Sequence, residues 1–120
     1  MDSAFIIIDR APYGYEDAFS GFYVCIACLN KEVDADVLLI GDGVYASLEG
    51  QQSESKLKFP SVEELTYLIF PEGSLFVHEE SLNERGFEEK DLVEAAELIN
   101  NQELYEIMSA KSKNTAFLRI

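Results

Sequence analysis

AFIIID at residues 4–9 decides the fold: it is a continuous apolar run rich in β-branched residues, closed by Asp9 and too short for a helix. No polar alternation marks a solvent face, so the run reads as a strand buried on both sides, and a parallel sheet is its natural host. DVLLIG at residues 36–41 repeats the signature. Between the two, Pro12 and Gly14 mark a loop over Arg10 to Gly14. Phe19, Phe22, Tyr23, Ile26 and Leu29 then recur at spacings of three and four, which predicts an amphipathic helix over about 15–30. Parallel neighbours need such a crossover.

The alternation continues downstream. Asp42-Gly43 makes a turn, and Val44 to Leu48 suit a short helix ended near Gly50. Gln51 to Phe59 has no periodicity and reads as a surface loop that is a candidate lid. Ser61 with Glu64 is a capping-box pattern, and Val62, Leu65, Leu68 and Ile69 form the stripe of a helix stopped by Pro71-Glu72-Gly73. Ser74 to His78 reads as a third strand, 79–85 as a helix stopped by Gly86, and Glu88 to Asp91 as a polar turn. Residues 94–100 suit a helix by propensity and a strand at 96–99 by the rhythm of the chain, and pattern alone leaves the two even. Asn100 with Glu103 caps a helix that turns Leu104, Ile107 and Met108 inward, and Thr115 to Ile120 closes as a strand. The expected architecture is α/β: one three-layer α/β/α domain over residues 1–120 with a mainly parallel sheet of about five strands.

Charge narrows the function classes. Nine Lys plus Arg against twenty-three Asp plus Glu give a net charge of −14, which repels phosphate backbones and anionic lipid heads. Direct nucleic-acid or membrane binding is therefore not expected, whereas docking of basic partners is. The apolar runs fall far short of the roughly 20 residues a spanning helix needs. Met1-Asp2-Ser3 lacks the positive flank of a secretory signal, so the expected location is cytoplasmic, where Cys25 and Cys28 stay thiols.

In open parallel sheets ligands bind beyond the carboxyl ends of the strands, which directs attention to the loops that follow them. Those loops carry Arg10, Tyr13 and Gly14 after the first strand, Asp42, Gly43 and Tyr45 after the second, and His78 and Glu79 after the third. All three are expected on one rim. Turn chemistry accounts equally well for the glycines taken singly. Cys25 and Cys28 have C-x-x-C spacing, but they lie well inside the predicted helix among apolar neighbours, where cysteine packs as a small apolar group. One histidine and two cysteines do not make a zinc site, and GDG at 41–43 lacks the surrounding pattern of a phosphate loop. Neither metal nor cofactor is expected.

At these loops the chain resembles the DsrE/DsrF-like family, and most its TusC/DsrF branch of sulfur-relay subunits. The stretches that carry the resemblance are APYGYEDAF (11–19), LLIGDGVY with LEGQQ (38–45, 48–52), FVHEESLNERGF (76–87) and the closing FLRI (117–120). Their order and spacing run nearly end to end. The resemblance implies a parallel α/β fold, homo- or hetero-oligomers of related subunits, and passage of persulfide sulfur toward 2-thiouridine in tRNA or within sulfur oxidation. It also implies a cysteine at the end of the third strand, eight residues before the glycine of an Arg-Gly pair, and here Arg85-Gly86 puts His78 in that slot. A thiolate at a helix N-terminus accepts sulfur, and imidazole does not.

The expectation is thus a subunit that supports or completes a sulfur-transfer site beside a cysteine-bearing relative, with His78 as a candidate proton donor or acceptor. Its rival is a stand-alone homo-oligomer that binds a small ligand in the strand-end cleft through His78 and Arg10 without sulfur chemistry.

Overall fold

The computed structural model describes residues 3–9, 17–48 (backbone alone at 17–20), 73–111 and 114–119. The apolar runs form the sheet as their composition requires. β1 (Ser3–Ile8), β2 (Asp34–Leu39), β3 (Leu75–His78), β4 (Ala96–Ile99) and β5 (Thr115–Arg119) lie in the order β4-β3-β2-β1-β5, and every neighbouring pair is parallel. The even choice over residues 94–100 is resolved as strand, paired residue by residue with β3. Local propensity loses there to the ladder that β3 offers.

Side chains alternate across this sheet and make two cores. On one face Ile6, Ile8, Val37, Leu39, Leu75 and Val77 pack with Phe22 and Cys25 of α1 (Asp17–Asn30). On the other, Phe5, Leu38, Phe76 and Ile99 receive Leu104, Ile107 and Met108 of α3 (Asn101–Ala110), the inward stripe the spacing predicts. Helices on both faces confirm the three layers. Fully buried side chains such as Phe5 and Phe22 each contribute roughly 1.5–3 kcal/mol relative to exposure.

The remaining boundaries follow from caps and turns. α2 (Glu79–Glu84) ends before Gly86, whose φ of +81° supplies the left-handed stop. Asn100 and Glu103 satisfy each other's backbone N–H groups at the start of α3, and Glu88 and Asp91 do the same around the 3-10 turn Glu89–Asp91. Beneath the N-terminal end of the sheet, Asp36 accepts Ser74 N at 2.9 Å and pairs with Lys111 at 2.7 Å, and Lys111 Nζ lies 5.5 Å from the Phe5 ring centroid. One boundary differs from expectation: the helix placed at Val44 to Leu48 is a 3-10 helix that already begins at Gly41 (Gly41–Ser47). Gly41 takes φ +57° and Gly43 N donates to Ile40 O at 3.0 Å, so the turn residues are its first turn. The loop expected at 51–59 and the helix expected between Ser61 and Pro71 lie outside the described residues.

Gly43 is where backbone meets backbone. A Cβ there would stand 2.0 Å from Ile8 O and 2.8 Å from Ile8 C, with main chain on the other side that cannot turn away. Gly43→Ala is expected to lower stability in urea unfolding by about 3 kcal/mol or more, the upper range for overpacking. Gly86→Ala meets no atom within 4 Å and carries only the left-handed φ, so its expected cost is about 1 kcal/mol. Equal costs at the two positions would refute this account of Gly43.

Candidate functional site

Sheet topology selects the site. The chain leaves β3 through α2, whose Leu82 joins the α1-side core, and leaves β4 through α3 on the opposite face. Neighbouring strands that send their chains to opposite sides open a crevice at their carboxyl ends. There the structure has an open hollow of about 590 Å³ lined by Glu79, Glu80, Asn83, Glu84, Asn100 and Asn101. Three carboxylates and three amides make it acidic and polar.

His78 ends β3 beside Glu79 and is bonded to Asn101, two residues that line the hollow. It shares the α3-facing parity of Phe76 and is buried, with 7% of its surface exposed. As the N-cap of α2 it accepts Ser81 N at Nδ1 (3.3 Å), and the same nitrogen lies 2.7 Å from Ser81 Oγ. Because a backbone N–H can only donate, Nδ1 is the acceptor and the ring proton sits on Nε2, which donates to Asn101 Oδ1 at 2.5 Å. The Asn101 amide donates in turn to Glu80 Oε2 at 2.9 Å, and Ser81 Oγ accepts Gly41 N at 2.9 Å. A continuous hydrogen-bonded chain thus runs from the exposed Glu80 carboxylate through Asn101, His78 and Ser81 to the loop after β2. Both ring nitrogens are engaged, so this histidine ties α2 to α3.

Two of the three expected loops meet on the rim. Asp42 is exposed and accepts Arg85 Nε at 3.0 Å and Nη2 at 2.9 Å, while Arg85 Nη1 donates to Ser81 O at 2.9 Å. Arg85 thereby clamps the third loop to the second through its planar fork. Gly43 is buried with its backbone against Ile8 of β1 and is not among the residues that line this hollow. Tyr45 is half-buried with its ring edge-on to Phe87 at 5.8 Å, and half-buried Glu79 lines the hollow. Asp9, at the end of β1, binds Arg119 from the end of β5. Arg10, Tyr13 and Gly14 lie outside the described residues.

Sequence reading missed Ser81 and Asn101. Ser81 stands at the third helical position after His78, a capping interval that was legible, whereas Asn101 is 23 positions away and only the β3–β4 pairing brings it in. Cys25 is fully buried in the α1-side core and Cys28 half-buried beside it, away from the rim. Burial, with smaller contributions from Asp36 and Cys28, pushes the Cys25 thiol from 9.0 up to about 12. Among the described residues no three His, Cys, Asp or Glu converge as metal ligands, and no helix is long and apolar enough to cross a membrane.

Two outcomes are expected. With its folded pKa above the unfolded value, Cys25 stabilises the fold fully below pH 9.0 and loses that contribution as pH climbs toward 12. Alkylation of native protein at pH 8 should mark Cys28 and spare Cys25 until urea unfolds the chain; fast labelling of Cys25 would contradict its burial. His78→Ala should lower stability by roughly 2 kcal/mol through loss of the cap and of the link to Asn101. A variant as stable as the parent in urea would show that the link contributes nothing.

The model of the DsrE/DsrF-like family matches residues 2–114. A "Protein TusC homolog" of Vibrio parahaemolyticus is 30% identical over 118 residues, covering 98% of this chain and all of that protein. An uncharacterized protein of Methanocaldococcus jannaschii is 28% identical over 100 residues, covering 82% of this chain and 85% of its own. The crystal structure of the ychN protein from E. coli superposes with a TM-score of 0.86 over the whole of both chains at 21% identity, a likeness that speaks for the fold. The chain belongs to the DsrE/DsrF-like family, and its likeness to the Vibrio TusC homolog supports the TusC/DsrF branch.

Proposed function

We propose that this protein is a cytoplasmic, non-carrying subunit of a sulfur-relay complex of TusC/DsrF type, assembled with related subunits of which at least one bears the sulfur-accepting cysteine. The observation that carries the reading is His78. It occupies the strand-end slot where a carrier holds its thiol, and its two ring nitrogens are committed to Ser81 and Asn101. A persulfide needs a sulfur nucleophile, and the buried, proton-retaining Cys25 is a poor one. The relative named as a TusC homolog supports the same assignment. In this reading the sulfur passes along cysteines of the partner subunits on its way to tRNA thiolation or sulfur oxidation. His78 acts as a positioning residue that holds the rim of α2 and α3 in the shape a partner meets. The acidic lining of the hollow suits basic groups on that partner.

A second reading has one observation in its favour. The hollow between β3 and β4 is of ligand size, and a stand-alone protein of this fold would bind a small polar molecule there.

Isolation of the tagged chain from its own host separates the two. A cysteine-bearing relative of the same fold should co-purify, and labelled persulfide sulfur should appear on that relative and not on this chain. Stable label on Cys25 or Cys28 of the isolated chain, or the absence of any such relative, would overturn the proposal. For His78→Ala in the reconstituted complex, transfer lost at low partner concentration should return when the partner saturates. A rate deficit that persists at saturation would instead mark His78 as a proton-transfer group.

A further inference from the structure

The outer flank of α3 joins an aromatic ring to the acidic hollow. Leu104, Ile107 and Met108 turn inward onto the sheet, so the core does not use Tyr105, which is 70% exposed. A single exposed ring is ordinary, and its position is what gives this one meaning. Tyr105 follows Asn101 by four residues, which puts it on the same flank of the helix, one turn further along. Asn101 lines the hollow, so the wall of the hollow runs on into the flank that carries the ring. Exposed Glu106 stands next to Tyr105 and accepts the Gln102 amide at 3.1 Å, and α3 has no basic residue. Across the hollow α2 contributes Glu79, Glu80 and Glu84. Among the described residues only Arg85 approaches any of these carboxylates, Glu84 at 3.7 Å, and Arg85 is already committed to Asp42. Lys90, Lys111 and Arg119 are paired with other acids, and Lys31 lies between α1 and β2 at the opposite end of the sheet.

We infer that this flank docks an arginine-bearing basic segment of another protein, with one guanidinium laid on the Tyr105 ring and neighbouring cations answered by the carboxylates of the hollow. A guanidinium is planar and weakly hydrated, stacks on an aromatic face and forks onto a carboxylate, whereas an ammonium is a compact, strongly hydrated point charge. Attraction between opposite charges brings the segment to the surface, and stacking fixes where it lies. A second copy of this chain, at net charge −14, would bring acid to acid here, and so would nucleic acid or an anionic lipid surface. The inference rests on the proposed function for the claim that a partner meets this rim, and it adds which side chains receive that partner and what chemistry the partner must bring.

The test titrates the full chain at low ionic strength with the acetylated, amidated pentapeptide Arg-Gly-Arg-Gly-Arg carrying a fluorophore, read by anisotropy. Its lysine analogue of equal charge and the free polyamine spermidine serve as competitors. The arginine peptide should bind more tightly than either. Tyr105→Ala should weaken it about two- to fivefold, the span expected for an exposed cation over a ring, and Tyr105→Phe, which keeps the ring face, should bind as the parent does. Glu79→Gln combined with Glu84→Gln should lower affinity and flatten its salt dependence. Glu32→Gln combined with Asp34→Asn removes the same charge at the opposite end of the sheet and should leave affinity near the parent value. Absence of binding, equal affinity for spermidine, indifference to Tyr105→Ala, or an equal loss from the remote pair would each overturn the inference. So would sedimentation in which Tyr105→Ala lowers the mass of the unmixed chain, since that result gives the flank to a second copy. No sulfur moves in this titration, so its failure is separate from failure of the relay reading, which co-purification and persulfide labelling decide.

Discussion

The handedness of the crossover connection is the constraint from which the site follows. From β1 to β4 the strands are laid down stepwise in one direction across the sheet, and right-handed connections in one direction keep their helices on one face. The return from β4 to β5, beside β1, reverses the direction and throws α3 onto the other face. α2 and α3 consequently leave adjacent strand ends on opposite sides, and the chain cannot close the space between them. Every polar group of the hollow is placed by that divergence: Glu79, Glu80, Asn83 and Glu84 from one side, Asn100 and Asn101 from the other.

His78 shows how the divergence is held. A histidine at the end of a buried strand must satisfy two ring nitrogens away from water, and leaving either unmade costs about 1–3 kcal/mol. Ser81 and Asn101 meet that need from opposite flanks of the crevice. A cysteine in the same place would demand little of its surroundings and would leave a reactive sulfur at the mouth of the site. The imidazole is thus a mechanical tie, and Arg85 adds a second by fastening Asp42 of the β2 loop to the carbonyl of Ser81. The rim is braced from three segments of the chain.

Charge acts at a longer range than these contacts. The acid excess keeps copies of the molecule and other anions apart over most of the surface, and three of the described cations tie carboxylates into the fold. Lys111 neutralises Asp36 beneath the sheet, and Arg85 and Arg119 hold carboxylates at the strand ends. An acid excess of this size works against phosphate backbones and anionic lipid heads and favours basic protein faces.

Strands such as AFIIID and DVLLIG were readable because a both-sides-buried strand needs an uninterrupted apolar run, and the caps at Gly86 and Asn100 were readable because they are local backbone needs. The spacing from His78 to Arg85-Gly86 was readable because all three lie on one strand–helix unit. Pattern was silent or neutral wherever partners are distant in the chain. Residues 96–99 became a strand because β3 presented an unpaired ladder, Gly43 proved to be a point of backbone contact with Ile8, and Asn101 reached His78 through the β3–β4 register. Local sequence determines what one segment requires of its own backbone. Which distant side chain answers a buried donor or acceptor is decided only when strand order and crossover handedness bring the segments together.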